Sequence, residues 1–169
     1  MIQSDANNRV LARRLAVEHL PHLELKSADF KHGATLPTRA TADGDGTPPS
    51  LAWGEPPDGT RSFALICEDP DAPSPEPFVH WLVSAIPGSV RSLDANVSGF
   101  REGNNSRSSV GFTPAAPPKG HGSHQYHFQL FALDQELSAV DGMGREALAR
   151  AMSGHVLAWG SIVGTYEAR

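Results

Sequence analysis

The segment "YHFQLFALD" (126–134) constrains the fold more than any other part of this chain. Tyr126, Phe128, Leu130 and Ala132 alternate with His127, Gln129, Phe131 and Leu133, and toward its end both faces are apolar. Successive strand side chains point to opposite sides of a sheet, so this strand needs a covering layer on each side. "RSFALICE" (61–68) and "VHWLVSAI" (79–86) are two more strands of apolar character. "HLELKSADF" (22–30) alternates Leu23 and Leu25 with Glu24 and Lys26, the period of a half-buried strand. Helical spacing occurs only near the two ends. Residues 8–20 place Val10, Leu11, Leu15 and Leu20 at that spacing, and Pro21 stops the helix. Residues 144–159 place Leu148, Met152, Val156 and Trp159 on one face, and "GSIVGTYEAR" then returns to strand character. With no strand–helix–strand alternation between, the order predicts a mainly β, antiparallel, sandwich-like domain with a short N-terminal helix and a C-terminal helix. No internal repeat is present.

A chain of 169 residues can bury one good core and is short for two. The expected organisation is an N-terminal helical extension over 1–21 and one domain over 22–169. A net charge of −5 without a basic run gives nucleic acid nothing to bind. No apolar run reaches the ~18–20 residues of a membrane span, and the N-terminus lacks the apolar stretch of a secretory signal. Cys67 is the only cysteine, which excludes an internal disulfide. These features together lead us to expect a cytoplasmic protein.

Candidate chemistry gathers at two proline-rich loops. "CEDPDAPSPEPFVHWLV" (67–83) joins two strands through Asp69, Pro70 and Asp71 and then places His80 inside an apolar strand. Proline fixes its own backbone and restricts its predecessor, so the aspartates sit on a pre-organised turn. "TPAAPPKGHGSHQYHF" (113–128) repeats the device with Pro117 and Pro118, then presents His124 and Tyr126 on one strand face. Gly111, Gly120 and Gly122 would let the backbone come close to a ligand. Each feature alone fits a stiffened turn or a core histidine; both loops feeding acids and imidazoles to strand ends point to one pocket. Such a mixed pocket suits a phosphorylated or zwitterionic small molecule, with carboxylates expected to raise the imidazole pKa values. Asp and His are also sound metal ligands, but no short ligand motif is present. "DGDG" (43–46) lacks the later oxygen ligands of a calcium loop, and no nucleophile elbow exists. The 96–125 segment is long enough that a functional or a disordered loop is expected.

"DPDAP", "HW", "APPKG", "GSHQY" and "FALD", in this order, resemble the phosphatidylethanolamine-binding protein family, and within it the bacterial Raf-kinase-inhibitor-like members. The likeness runs over roughly 22–168. It implies a central sheet flanked by a smaller one, a helix near the C-terminus and an anion pocket for phosphate or a phosphorylated head group. Carried over by position, Asp69, Pro70, Asp71 and His80 form the first half of the pocket. Gly111, Pro117, Pro118, His124 and Tyr126 form the second. The sequence departs from the family pattern at Phe112, Pro114 and Ser108, where a tyrosine and glycines are usual. Arg107 is an extra candidate anion contact.

The leading expectation is a small-ligand-binding, regulatory protein without a cofactor, in which His80 and His124 donate to the anion and Tyr126 supplies a hydroxyl. Asp69 and Asp71 would orient the imidazoles or receive a cationic group of the ligand. A metal-dependent or acid/base hydrolase using the same residues is the alternative, and a kinase- or protease-inhibitor-like interaction protein is a third. The N-terminal helix and Trp159 offer apolar surface for a homodimer.

Overall fold

The computed structural model describes residues 6, 8–96, 100–137 and 143–168. β3 (Ser62–Asp69), β4 (Phe78–Pro87), β6 (Arg101–Glu102), β7 (His124–Leu133) and β8 (Val156–Tyr166) form one antiparallel sheet in the order β6-β4-β3-β7-β8. A smaller antiparallel sheet pairs β1 (Leu25–Lys26), β2 (Leu51–Trp53) and β5 (Ser92–Leu93). Phe63, Leu65 and Cys67 of β3 face the small sheet, where Leu25, Leu51, Trp53 and Leu93 close over them. Ala64 and Ile66, one residue out of phase, face α1 (Leu11–Arg14) and α2 (Arg145–Met152). The large sheet is therefore covered on both sides, as the doubly apolar central strand requires.

Two helices are shorter than their apolar spacing predicts. The N-terminal helix keeps only Leu11–Arg14, because Ala16 adopts a left-handed backbone (φ 55°) that turns Val17 into the core. Helix α2 ends at Met152, and Gly154 (φ 81°) reverses the chain without steric cost. Val156 and Trp159 then lie on β8, which pairs with β7 along nearly its whole length. That ladder satisfies the outer backbone groups of β7, which a longer helix would leave open. The 22–30 strand shortens to Leu25–Lys26.

The N-terminal segment is part of the core. Leu11 and Ala12 are fully buried beside Leu148 and Met152, with Leu15, Leu20 and Trp159 packed around them. The apolar positions behind the dimer expectation are thus occupied within the chain. Glu68, on the helix-facing side of β3, is fully buried and accepts from the Leu11 backbone N–H at 2.7 Å. Arg145, the first residue of α2, donates to it from Nε at 3.0 Å and also binds the Arg9 carbonyl at 2.8 Å. No helix among the described residues is long and apolar enough to cross a membrane.

Removing one partner of a buried ion pair strands the other charge. Arg145→Met is therefore expected to cost about 3–5 kcal/mol in urea unfolding. Adding Glu68→Gln, which removes the stranded charge, should recover a large part of that loss; no recovery would show that Arg145 acts through packing alone.

Candidate functional site

β7 runs past the end of its pairing with β3. The last pair is Glu68 with His127, so residues 124–126 project beyond the shared ladder. The Asp-Pro-Asp turn fills the space. Asp69 Oδ1 accepts the Asp71 N–H at 2.8 Å, closing the turn, and Asp71 Oδ2 accepts the Gln125 N–H at 2.8 Å. Asp69 Oδ2 accepts from His124 Nδ1 at 2.7 Å, and both side chains are buried. His124 Nε2 in turn shares a proton with Nδ1 of exposed His121 at 3.0 Å. A carboxylate–imidazole–imidazole chain thus runs from the protein interior to solvent.

His80 reaches the same place through a break in register. Cys67 faces Trp81 and Glu68 faces Val79, so His80 is the extra residue of a β-bulge. Bulges re-aim the inserted side chain. The loop after β6 then clamps it: Thr113 N–H donates to the His80 carbonyl at 2.8 Å, and His80 Nδ1 donates back to the Thr113 carbonyl at 2.8 Å. Phe78 and Tyr126 flank the ring with centroid distances of 4.8 and 5.1 Å.

These groups surround a cavity of about 330 Å³, lined among others by Asp69, His80, Pro117, Pro118, His124 and Tyr126. Six of the nine expected site residues therefore meet. The other three support it from behind. Pro70 offers its carbonyl to Arg9, Asp71 anchors Gln125, and Gly111 (φ 109°) turns the loop where its carbonyl accepts from Asn105 Nδ2 at 2.9 Å. Arg107 also lines the cavity, its guanidinium 6.0 Å from the Phe78 ring centre. Phe112 lies off the cavity, edge-on to Trp81, and Ser108 takes the left-handed backbone (φ 61°) that a glycine would adopt freely.

Sequence reasoning missed Arg9. Its guanidinium donates to the Pro70 carbonyl at 3.0 Å and the Ser74 carbonyl at 2.9 Å, bracing the acidic turn from the N-terminal segment. No local motif marks this, since the contact spans more than sixty positions.

The electrostatics correct one expectation. No carboxylate bonds His80, and burial lowers its pKa from 6.5 to about 4, with its carbonyl hydrogen bond opposing and Arg107 and His124 adding to the drop. It is neutral at physiological pH. Its Nδ1 proton is committed to Thr113, so in this ring, which lines the cavity, Nε2 is the acceptor. Burial raises the Asp69 carboxyl, with the His124 hydrogen bond pulling the other way, and burial beside Asp69 raises Tyr126. The Tyr126 hydroxyl is buried and has no hydrogen-bond partner among the described residues. Nor do three or more described His, Cys, Asp or Glu side chains group as metal ligands.

The sequence model of the phosphatidylethanolamine-binding protein family matches residues 26–167. This chain belongs to that family. A UPF0098 protein of Aquifex aeolicus is 40% identical over 86% of this chain and 88% of its own length. A UPF0098 protein of Methanothermobacter thermautotrophicus is 36% identical over 86% of this chain and 99% of its own. A crystal structure described as a phosphatidylethanolamine-binding protein homologue from Chlamydia trachomatis superposes with a TM-score of 0.83 at 32% identity, covering 88% of this chain and 99% of the other. YbcL of Escherichia coli gives 0.81 at 31%, with the same coverage. The family match begins after the segment that carries Arg9 and α1.

A histidine whose folded pKa lies below its unfolded value binds fewer protons in the native state than in the unfolded state, so stability is lost as pH falls. His80 and His127, both lowered to about 4, set the window from about 6.5 down to 4. Unfolding free energies from urea titrations should fall by up to about 1.4 kcal/mol per pH unit for each histidine as pH is lowered across it, and flatten below it. His80→Asn should remove part of that slope; an unchanged slope would mean that His80 is not held neutral by the fold.

Proposed function

We propose that the cavity between the two proline-rich loops binds the phosphoryl group of a small phosphorylated molecule. The observation that carries this is Tyr126, whose buried hydroxyl has no partner among the described residues, and which lines a cavity together with His80, the Asp69–His124 pair and Arg107. A buried polar atom left unpaired is costly unless a ligand supplies the partner. Ala72, Pro73, Phe78, Ala116, Pro117 and Pro118 make much of the wall apolar, which suits a monoester with an organic substituent better than a bare ion. Neutral His80 accepts, so the phosphoryl group brings a P–OH or takes up a proton. Affinity therefore rises as pH falls below neutral.

Acid/base chemistry is the second reading, favoured by the His121–His124–Asp69 chain. A carboxylate fixes the imidazole tautomer, and the outer histidine gives the proton a route to solvent.

Titration of the protein with phosphoethanolamine and with inorganic phosphate, followed by histidine ring NMR, tests both readings. Shifts at His80 and His124 are expected, larger for the monoester. Tyr126→Phe should weaken binding by about five- to tenfold, the worth of one hydrogen bond, while leaving the unliganded protein equally or more stable. Silence at both histidines would sink the binding proposal. Release of phosphate from the monoester that is lost in His124→Gln would establish the second reading.

A further inference from the structure

The large sheet has a second cavity on the face opposite Tyr126. It measures about 390 Å³ and is lined among others by Gln125, His127 and Gln129 of β7, Trp159 and Ser161 of β8, and Arg13 of α1. Because β7 alternates, His124 and Tyr126 face the first cavity, while Gln125, His127 and Gln129 face this one.

Three polar atoms here are shielded from solvent and have no partner among the described residues. They are His127 Nε2, Gln129 Nε2 and Trp159 Nε1. Gln129 is 1% exposed and His127 8%. The orientation of Gln129 is not arbitrary, since its Oε1 accepts the Ala12 N–H at 2.8 Å and so leaves the amide NH₂ as the open group. Trp159 Nε1 can only donate. Three open groups along two adjacent strands, two of them donors in any state, are more than a well-packed sheet face leaves unsatisfied.

The open donors call for an acceptor-bearing ligand, and charge narrows its class. No carboxylate is among the described residues that line this cavity, and the lining His32 accepts the Val163 N–H at Nδ1 at 3.1 Å. Asp71, whose charge His127 senses, is tied to the Gln125 N–H. Arg13 supplies one guanidinium, held among the described residues by an exposed pair with Glu18 at 3.5 Å, which exchanges readily for a ligand. One exposed cation and neutral amide and indole donors match a single negative charge. A phosphate dianion would lose more hydration than they return.

We propose that this cavity is a second ligand site, specific for a small monocarboxylate whose oxygens accept from Gln129 Nε2, Trp159 Nε1 and Arg13. It is separate from the phosphoryl site, and strand β7 forms a wall of both. The N-terminal segment completes it through Val10, Ala12 and Arg13, which precede the family match.

Benzoate, the neutral analogue benzamide and inorganic phosphate would be titrated into the ¹⁵N-labelled full chain. Trp159→Phe assigns the indole signal. Benzoate should shift the Trp159 indole N–H and the Gln129 side-chain amide saturably, leaving His80 and His124 unmoved, and benzamide should bind at least about tenfold more weakly. Arg13→Gln, an exposed substitution that spares the core, should weaken benzoate several-fold. The proposal is overturned by no shift at about 10 mM benzoate, where a millimolar site would already be filled. Equal binding of benzamide, tighter binding of phosphate at these signals, or full affinity in Arg13→Gln overturns it too. Phosphate silence at His80 and His124 bears only on the first site, so the two readings fail separately.

Discussion

Glu68 and Asp69 are neighbours on β3, and strand geometry turns them to opposite sides of the sheet. Everything else in the molecule is arranged about that division. Glu68 is completely buried, so it must be paired, and its partners are the Leu11 N–H and the Arg145 guanidinium. One carboxylate therefore fixes where both helical segments sit on the sheet. Asp69, facing the other way at the strand end, orients His124 and closes the turn onto Asp71. Hydrophobic burial alone would let the helices slide on an apolar face. A buried charge with a short list of donors does not, because a shifted register leaves it unpaired at several kcal/mol.

The functional side of the sheet uses the same economy of fixed backbone. His80 gains its position from one extra residue in β4, and its ring from reciprocal hydrogen bonds with Thr113. The long loop that carries Thr113 is ordered by buried Asn105, whose side chain binds Gly111 and caps Arg107, and by Ser106, which exchanges hydrogen bonds with Val79. Arg9 reaches across from the helix side to hold the acidic turn. The two loops are thus held in place by the protein's own hydrogen bonds, so a molecule bound between them would pay little to order them.

The main strands and the two proline-rich loops were legible from sequence because each rests on local chemistry, whereas the small covering sheet was expected only through the family resemblance. Alternation marks strands, proline and glycine mark turns, and spacing i to i+2 puts His124 and Tyr126 together. What escaped notice depends on distant partners. Trp159 sits at helical spacing from Met152, yet β8 wins it because β7 needs an outer neighbour for its backbone. Ala16 breaks a good helical pattern to bury Val17, a decision made by the core rather than by propensity. Arg9 and Glu68 carry no motif at all. The protonation state of His80 failed for the same reason: sequence places two carboxylates nearby, but only the fold shows that both are spent on His124, Asp71 and Gln125.

That distribution of carboxylates decides what the first cavity can hold. Asp69 bonds His124, His80 is neutral, and Arg107 is the one arginine or lysine among the described lining residues. A pocket of two protonated histidines would attract any anion, including sulfate and chloride. This one instead offers a hydroxyl, an imidazole acceptor and one guanidinium, so it rewards a ligand that carries its own proton. A phosphate monoester has such a proton near neutral pH, and sulfate does not. In the proposed phosphoryl site, the buried, neutral imidazole would work as a filter on the protonation state of the ligand rather than as a source of positive charge.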